Sequence, residues 1–276
     1  MMNFYIHAGG GVGDIIKNYF WGTKGWGYLK NIKRQNSKVK LLLASSNPAA
    51  EDLFAGNKFI DEIESYPWQR PGSKFKRAEE LNKQGYINLS IVGRHVKKLK
   101  FEKPKFMYFT EADKELYKKI KPAGKYTVIH PFIARMGLQP IETSEFREIA
   151  LRIRDKTQLP VLILGGTHNR TAFIAEPGIC TEEYGYEDEG IINLVNKTNL
   201  RIAVNLTQNA TSFVGTNSCF YCVRLGLGQP AAIIDLTQIK ESVISEDGKS
   251  CWIGAKSSKN KESIIDLTVK TAISSM

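Results

Sequence analysis

The chain has 276 residues, 42% hydrophobic and 10% aromatic, enough for one large packed domain or two ordinary ones and not the composition of a disordered chain. Its formal charge of +11 is unevenly placed: residues 1–140 hold 25 Lys and Arg against 12 Asp and Glu, the remainder 14 against 16. A first half this basic expects a polyanion (nucleic acid, a phosphorylated saccharide or an acidic membrane surface), or else it is a solvated lysine-rich face.

Phe4-Tyr5-Ile6 reads as a short strand that empties into Gly9-Gly10-Gly11-Val12-Gly13-Asp14. A turn without side chains lets a ligand or another backbone approach closely. Asp14 comes at a helix start, where the helix dipole favours a carboxylate; it is read either as that or as a general base held over a cleft. Lys40–Ala44 and the alternating Ile87–Val92 read as strands, and Ala49–Leu53 and Glu111–Ile120 as helices. The segment 66–77, with Pro67, Pro71, Gly72 and several cations, reads as a loop. Lys121-Pro122-Ala123-Gly124-Lys125 reads as a linker, dividing the chain into residues 1–122 and 123–276.

A second series begins with the strand Tyr126–Pro131. Ser144 is the expected N-cap of a helix over Glu145–Asp155, followed by strands at Leu159–Gly166, Ser212–Gly215 and Ala231–Asp235. Short apolar strands alternating with helices imply parallel sheets built from βαβ units, hence two doubly wound domains that carry ligands beyond the strand C-termini. Gly215-Thr216-Asn217-Ser218-Cys219 then reads as a strand-to-helix turn whose free amides suit a phosphate, a grammar shared by any strand–turn–helix.

No apolar run approaches the length of a membrane span, and the N-terminus lacks a basic-then-apolar leader, so the expected location is cytoplasmic. Cys180, Cys219, Cys222 and Cys251 do not form a disulfide framework. Cys219-Phe220-Tyr221-Cys222 is formally a Cys-x-x-Cys, but no second pair exists and His7, His95, His130 and His168 are scattered, so zinc and redox chemistry are not expected. The glycine cluster lacks the full dinucleotide spacing, and Glu187-Asp188-Glu189 is not the Asp-x-Asp of metal-dependent transferases.

The order of these motifs resembles the ADP-heptose:lipopolysaccharide heptosyltransferase family of GT-B glycosyltransferases. The resemblance runs through Gly13-Asp14, the strand ending His130-Pro131, the apolar strand Leu162–Gly166, Asn193-Leu194-Val195-Asn196-Lys197-Thr198-Asn199-Leu200, and Asn217–Cys222 leading to Gly228-Gln229-Pro230. It implies an α/β GT-B fold, two Rossmann-like doubly wound domains facing across a cleft, the first binding the acceptor and the second the nucleotide sugar. It implies an inverting transferase with Asp14 as base, no cofactor beyond the donor co-substrate, and no metal for donor binding. Gly13, Arg135, Asn217, Ser218 and Cys219 would hold the donor diphosphate; His130, Gly165, Gly166, Thr167, His168 and Lys197 would line the nucleotide side.

The chain departs from the family where an acidic residue, a glycine and a histidine become Asn217, Cys219 and Cys222, which points to a different donor or to a degenerate site. For the acceptor, Arg94, Lys97, Lys98 and Lys100 lie among aromatics in a pattern suited to phosphates and bases. The reading narrowly favours a hydroxymethylated base in DNA. A phosphorylated, lipid-linked core saccharide of lipopolysaccharide is the alternative, with peripheral attachment at the inner membrane. A non-catalytic nucleic-acid or glycan-binding protein is the reading of another class.

Overall fold

A computed structural model describes residues 3–8, 12–20, 23–35, 37–66, 73–89, 109–131, 142–165, 188–235, 242–244, 250–254 and 261–276. The chain divides between Lys114 and Glu115 into two compact units.

In the first unit, β1 (Asn3–Ala8), β2 (Lys40–Ser45), β3 (Glu62–Ser65) and β4 (Tyr86–Asn88) form a parallel sheet in the order β3-β2-β1-β4. Between them run α1 (Val12–Phe20), a 3-10 turn (Thr23–Tyr28), α2 (Leu29–Gln35), α3 (Ala49–Phe54) and α4 (Ser73–Lys83). Strands β1 and β2 are buried along almost their whole length, as a sheet covered on both faces requires. Tyr19, Trp26 and Phe54 lock α1, the 3-10 turn and α3 together, Trp26 stacking on Phe54 at 4.8 Å and meeting Tyr19 edge-on at 4.9 Å. Such aromatic pairs add about 0.5–1.5 kcal/mol beyond their burial.

Helix α5 (Glu111–Ile120) spans the division. In the second unit, β5 (Thr127–His130), β6 (Val161–Ile163), β7 (Ile191–Asn193), β8 (Ser212–Thr216), β9 (Ala232–Asp235), β10 (Ser242–Ile244) and β11 (Cys251–Gly254) form a sheet in the order β10-β11-β9-β8-β5-β6-β7. Every pairing is parallel except β10 with β11. The helices are α6 (Thr143–Thr157), α7 (Leu200–Asn209), α8 (Cys219–Gly226) and α9 (Lys261–Ser274). The core joins Phe146, Ile149 and Ile153 of α6 and Ile264, Ile265 and Val269 of α9 to Ile129, Ile163, Val214 and Ile234 of the sheet. Their neighbours Val128, Leu162, Phe213 and Ile233 are equally buried, so both sheet faces are covered.

Both sheets reverse direction beside their first strand: β2 and β3 lie on one side of β1 with β4 on the other, and β6 and β7 lie on one side of β5 with β8 on the other. The doubly wound α/β architecture expected from the sequence is thus present in both units. Three expectations change in detail. The N-cap of α6 is Glu142, not Ser144; Glu142 and Glu145 form a reciprocal capping box that satisfies two helix-end amides. Residues 73–77 are the start of α4 and not loop, because Ala78 and Leu81 pack on the sheet. The strand expected over Ile87–Val92 is β4, which ends at Asn88; residues 90–92 lie outside the described residues.

Candidate functional site

In a doubly wound sheet, ligands sit beyond the strand C-termini at the point where strand order reverses. In the second unit that point lies between β5 and β8, where His130 is in register with Gly215. A Cβ on Gly215 would come within 2.8 Å of the Phe213 ring and 3.0 Å of the His130 carbonyl oxygen, so only glycine lets the two strands pair this closely here. Beyond it, Asn217 is exposed and Ser218 is the N-cap of α8.

Ser218 has the extended backbone of an N-cap, yet its hydroxyl makes no capping bond and is a buried oxygen with no hydrogen-bond partner. The amides of Cys219 and Phe220 instead point at the Cys219 sulfur. Burial pushes the Cys219 thiol up to about 12, with Cys222 adding to the effect and those amides opposing it. A reactive Cys-x-x-Cys at a helix start has a lowered thiol pKa, and burial of Cys219 acts in the opposite direction. The Ser218 hydroxyl stands at the positive end of a helix, where an anion is favoured.

His130 is buried against the Phe220 ring, edge-on at 4.6 Å. Desolvation lowers its pKa to about 3, so the imidazole is neutral at pH 7. Beside it β6 continues to Gly165, whose carbonyl accepts a bond of 3.0 Å from the Asn196 amide. Asn196 has φ of 58°, and the turn it makes carries the exposed Lys197 to this same edge. His130, Gly165, Lys197, Asn217, Ser218 and Cys219 therefore all lie at the C-terminal edge of one sheet.

Two residues of this unit were not anticipated, one at this edge and one at the far end of α8. Asp235 ends β9, a neighbour of β8, and is 8% exposed. Arg224, 1% exposed, holds α8 in place by donating to the carbonyls of Pro230, Thr207 and Ala210 at 3.0, 3.3 and 2.8 Å. Burial lowers the Arg224 pKa to about 10, still charged at neutral pH, and the guanidinium serves the last carbonyls of α7 as a C-terminal cation does. Their signals were a strand-terminal carboxylate at the ligand edge and an arginine inside an apolar helix.

In the first unit, Gly13 and Asp14 stand within the first turn of α1, directly after the loop from β1. Asp14 is exposed, so the helix start presents a carboxylate to solvent. The same sheet edge carries a buried polar layer: His7, Ser45, Ser46 and Asn47 are all below 8% exposed, and the Ser45 hydroxyl donates to the Ala8 carbonyl at 2.7 Å. Arg94, Lys97, Lys98, Lys100, Arg135, Gly166, Thr167 and His168 lie outside the described residues. Among the described residues no group of three or more His, Cys, Asp or Glu is placed to hold a metal ion, and no helix is long and apolar enough to cross a membrane.

No protein-family model matches the chain and no curated protein sequence matches it. Solved structures do. A glycosyl transferase family 9 protein from Veillonella parvula matches with a TM-score of 0.60 at 10% identity, over 99% of this chain and 96% of that one. The E. coli ADP-heptose lps heptosyltransferase II matches with a TM-score of 0.58 at 11% identity, over 99% of both chains. The E. coli heptosyltransferase WaaC with ADP-2-deoxy-2-fluoro heptose also matches at 0.58, with 10% identity over 98% of this chain and 100% of that one. The likeness is one of fold: two parallel-sheet units in the GT-B arrangement of elements that the sequence motifs anticipated.

Proposed function

We propose that the protein is a glycosyltransferase that moves a sugar from a nucleotide-diphosphate sugar to a hydroxyl of a saccharide acceptor. The observation that carries this reading is the turn at the β5–β8 switch point, where Gly215 allows a tight approach and the Ser218 hydroxyl stands buried without a capping bond at the start of α8. The likeness in fold to three transferase structures, one of them holding an ADP-sugar analogue, supports it.

In this mechanism Asp14 takes the proton from the acceptor hydroxyl as its oxygen attacks the anomeric carbon. The bond from that carbon to the diphosphate oxygen breaks in the same step, so the configuration inverts and the diphosphate leaves with both electrons. The start of α8 offsets the developing negative charge with donors already oriented, at no further reorganisation cost. Lys197 adds a cation at the same sheet edge, with Arg135 proposed as a second. The donor is held through amides, hydroxyls and cations of the chain, without a bridging metal. His130, neutral and buried, shapes the nucleotide side and does not compete for the proton.

For the acceptor, two of the similar structures are E. coli heptosyltransferases, one named for ADP-heptose and lps, which favours a saccharide of the lipopolysaccharide-core type. The nucleic-acid acceptor expected from charge has no support from them, and its cationic stretch lies outside the described residues. Calorimetry with ADP, UDP and GDP, followed by mass spectrometry of transfer from the matching sugar nucleotides, tests the reading. Micromolar binding of one nucleotide and an acceptor gaining one glycosyl mass support it; no binding of any of the three overturns it.

A further inference from the structure

The buried polar layer of the first unit contains a hydrogen-bonded chain that the proposed transfer mechanism does not use. The His7 imidazole Nε2 meets the Tyr66 hydroxyl, and the Ser46 side chain bonds the same hydroxyl. His7 is the penultimate residue of β1, while Tyr66 comes directly after β3, its amide donating to the Ser45 carbonyl at 2.9 Å. The pair therefore bridges from β1 across β2 to the end of β3, at the edge where a doubly wound sheet receives ligands. The Tyr66 ring rests on the apolar cluster of Tyr5, Leu42, Ala44 and Leu81 and stays half-buried.

The Tyr66 hydroxyl keeps its proton at neutral pH. Burial, and then the Glu64 charge, push the Tyr66 phenol up to about 12. The nearby Arg77 is committed elsewhere: its guanidinium donates twice to Glu64, at 2.7 and 2.6 Å, and once to Glu80 at 2.9 Å. A protonated phenol, an imidazole and a serine hydroxyl both donate and accept, as alcohols do. Cooperative bonding along such a chain strengthens each member.

The geometry points to a subsite in which Tyr66, held by His7 and Ser46, hydrogen-bonds an uncharged hydroxyl of a saccharide. Calling that saccharide the acceptor rests on the transferase reading; the subsite itself does not. Tyr66 touches the sugar and His7 is a positioning residue. The subsite gives the first unit a role in recognising neutral sugar hydroxyls, separate from the phosphate groups that its cations suit.

NMR titration of the full chain with D-mannose and D-mannose 6-phosphate, beside a calorimetric titration with ADP, tests this. Wild type is expected to bind mannose, and Tyr66→Phe to raise its Kd about five- to tenfold, the loss of one neutral hydrogen bond, with ADP binding unchanged. His7→Gln, which keeps a side-chain hydrogen-bonding group, is expected to retain more affinity than His7→Ala. Equal mannose affinity in wild type and Tyr66→Phe, no mannose binding by wild type, or tighter Tyr66-dependent binding of the 6-phosphate would each overturn the subsite. Loss of mannose affinity together with ADP binding would mark a folding defect, and Tyr66 would then be a structural latch and not a ligand contact. Failure of wild type to bind any nucleoside diphosphate counts against the transferase reading alone.

Discussion

Each unit carries a histidine near the end of its first strand, and the two are used in opposite ways. His7 of β1 lies in a polar layer, bonded to Tyr66 beside Ser46, whereas His130 of β5 is pressed against Phe220 and kept neutral by burial. The sheets share a strand order around that first strand, so topology alone does not decide what happens at their edges. The difference comes from the segments that leave the neighbouring strands. After β2 and β3 come hydroxyls and a tyrosine; after β8 comes a helix start with an aromatic residue in its first turn. One edge carries a chain of proton-bearing groups, and the other a helix start with a flat aromatic neighbour.

The sharpest way to break this division of labour is Asp14→Asn. If the first unit supplies the base and the second the donor site, turnover falls by about 10²- to 10⁴-fold while ADP affinity is unchanged. Initial-rate measurements beside calorimetry decide it, and a parallel loss of ADP binding would contradict the division. Next in size is Arg224→Met, which removes a buried donor from the Pro230, Thr207 and Ala210 carbonyls. It should cost about 2–4 kcal/mol in urea unfolding of the second unit and weaken ADP binding, with mannose binding in the first unit unaffected.

The two histidines also predict a pH signature. His130 is neutral in the folded chain down to about pH 3, but its unfolded form takes up a proton below about pH 6.5. The unfolded state therefore binds more protons in that window, and stability contributed by this residue falls as pH falls from 6.5 toward 3. Between pH 7 and 5 the loss is about 2 kcal/mol. His130→Phe should flatten the pH dependence of the urea midpoint by that amount; an unchanged slope would show that His130 is not held neutral. The smallest expected effect is that of EDTA: if amides and cations hold the diphosphate, ADP affinity stays within about twofold.

Much of this architecture was legible in the sequence, for uneven reasons. β1, β2, β8 and β9 are buried on both faces and read as short apolar runs, and α5 was marked by its charge spacing. Strand β3, Glu62-Ile63-Glu64-Ser65, was missed because it is a half-exposed edge with one apolar residue. Strand β7 is three residues long, and α4 is lysine- and glutamate-rich and comes after two prolines. The strand-to-helix turn at Asn217–Cys219 was legible because a glycine-bearing strand followed by N-cap residues has a local grammar. The Tyr66–His7 bond was not, since its partners are 59 residues apart and meet only because β3 lies two strands from β1.

Helix α9 packs on α6 and against β8, β9 and β11, and its Ala272 carbonyl accepts the Ser212 hydroxyl at 3.0 Å. The second core therefore closes only after residue 272 has been made, whereas the described strands of the first sheet end with β4 at Asn88. At 5–20 residues per second, translation separates these events by roughly ten to forty seconds. During that interval a cell would hold a nascent chain whose first sheet has all of its described strands while Ile129, Val214 and Ile234 wait for their covering helix, a window in which chaperones, and not catalysis, would meet the second unit.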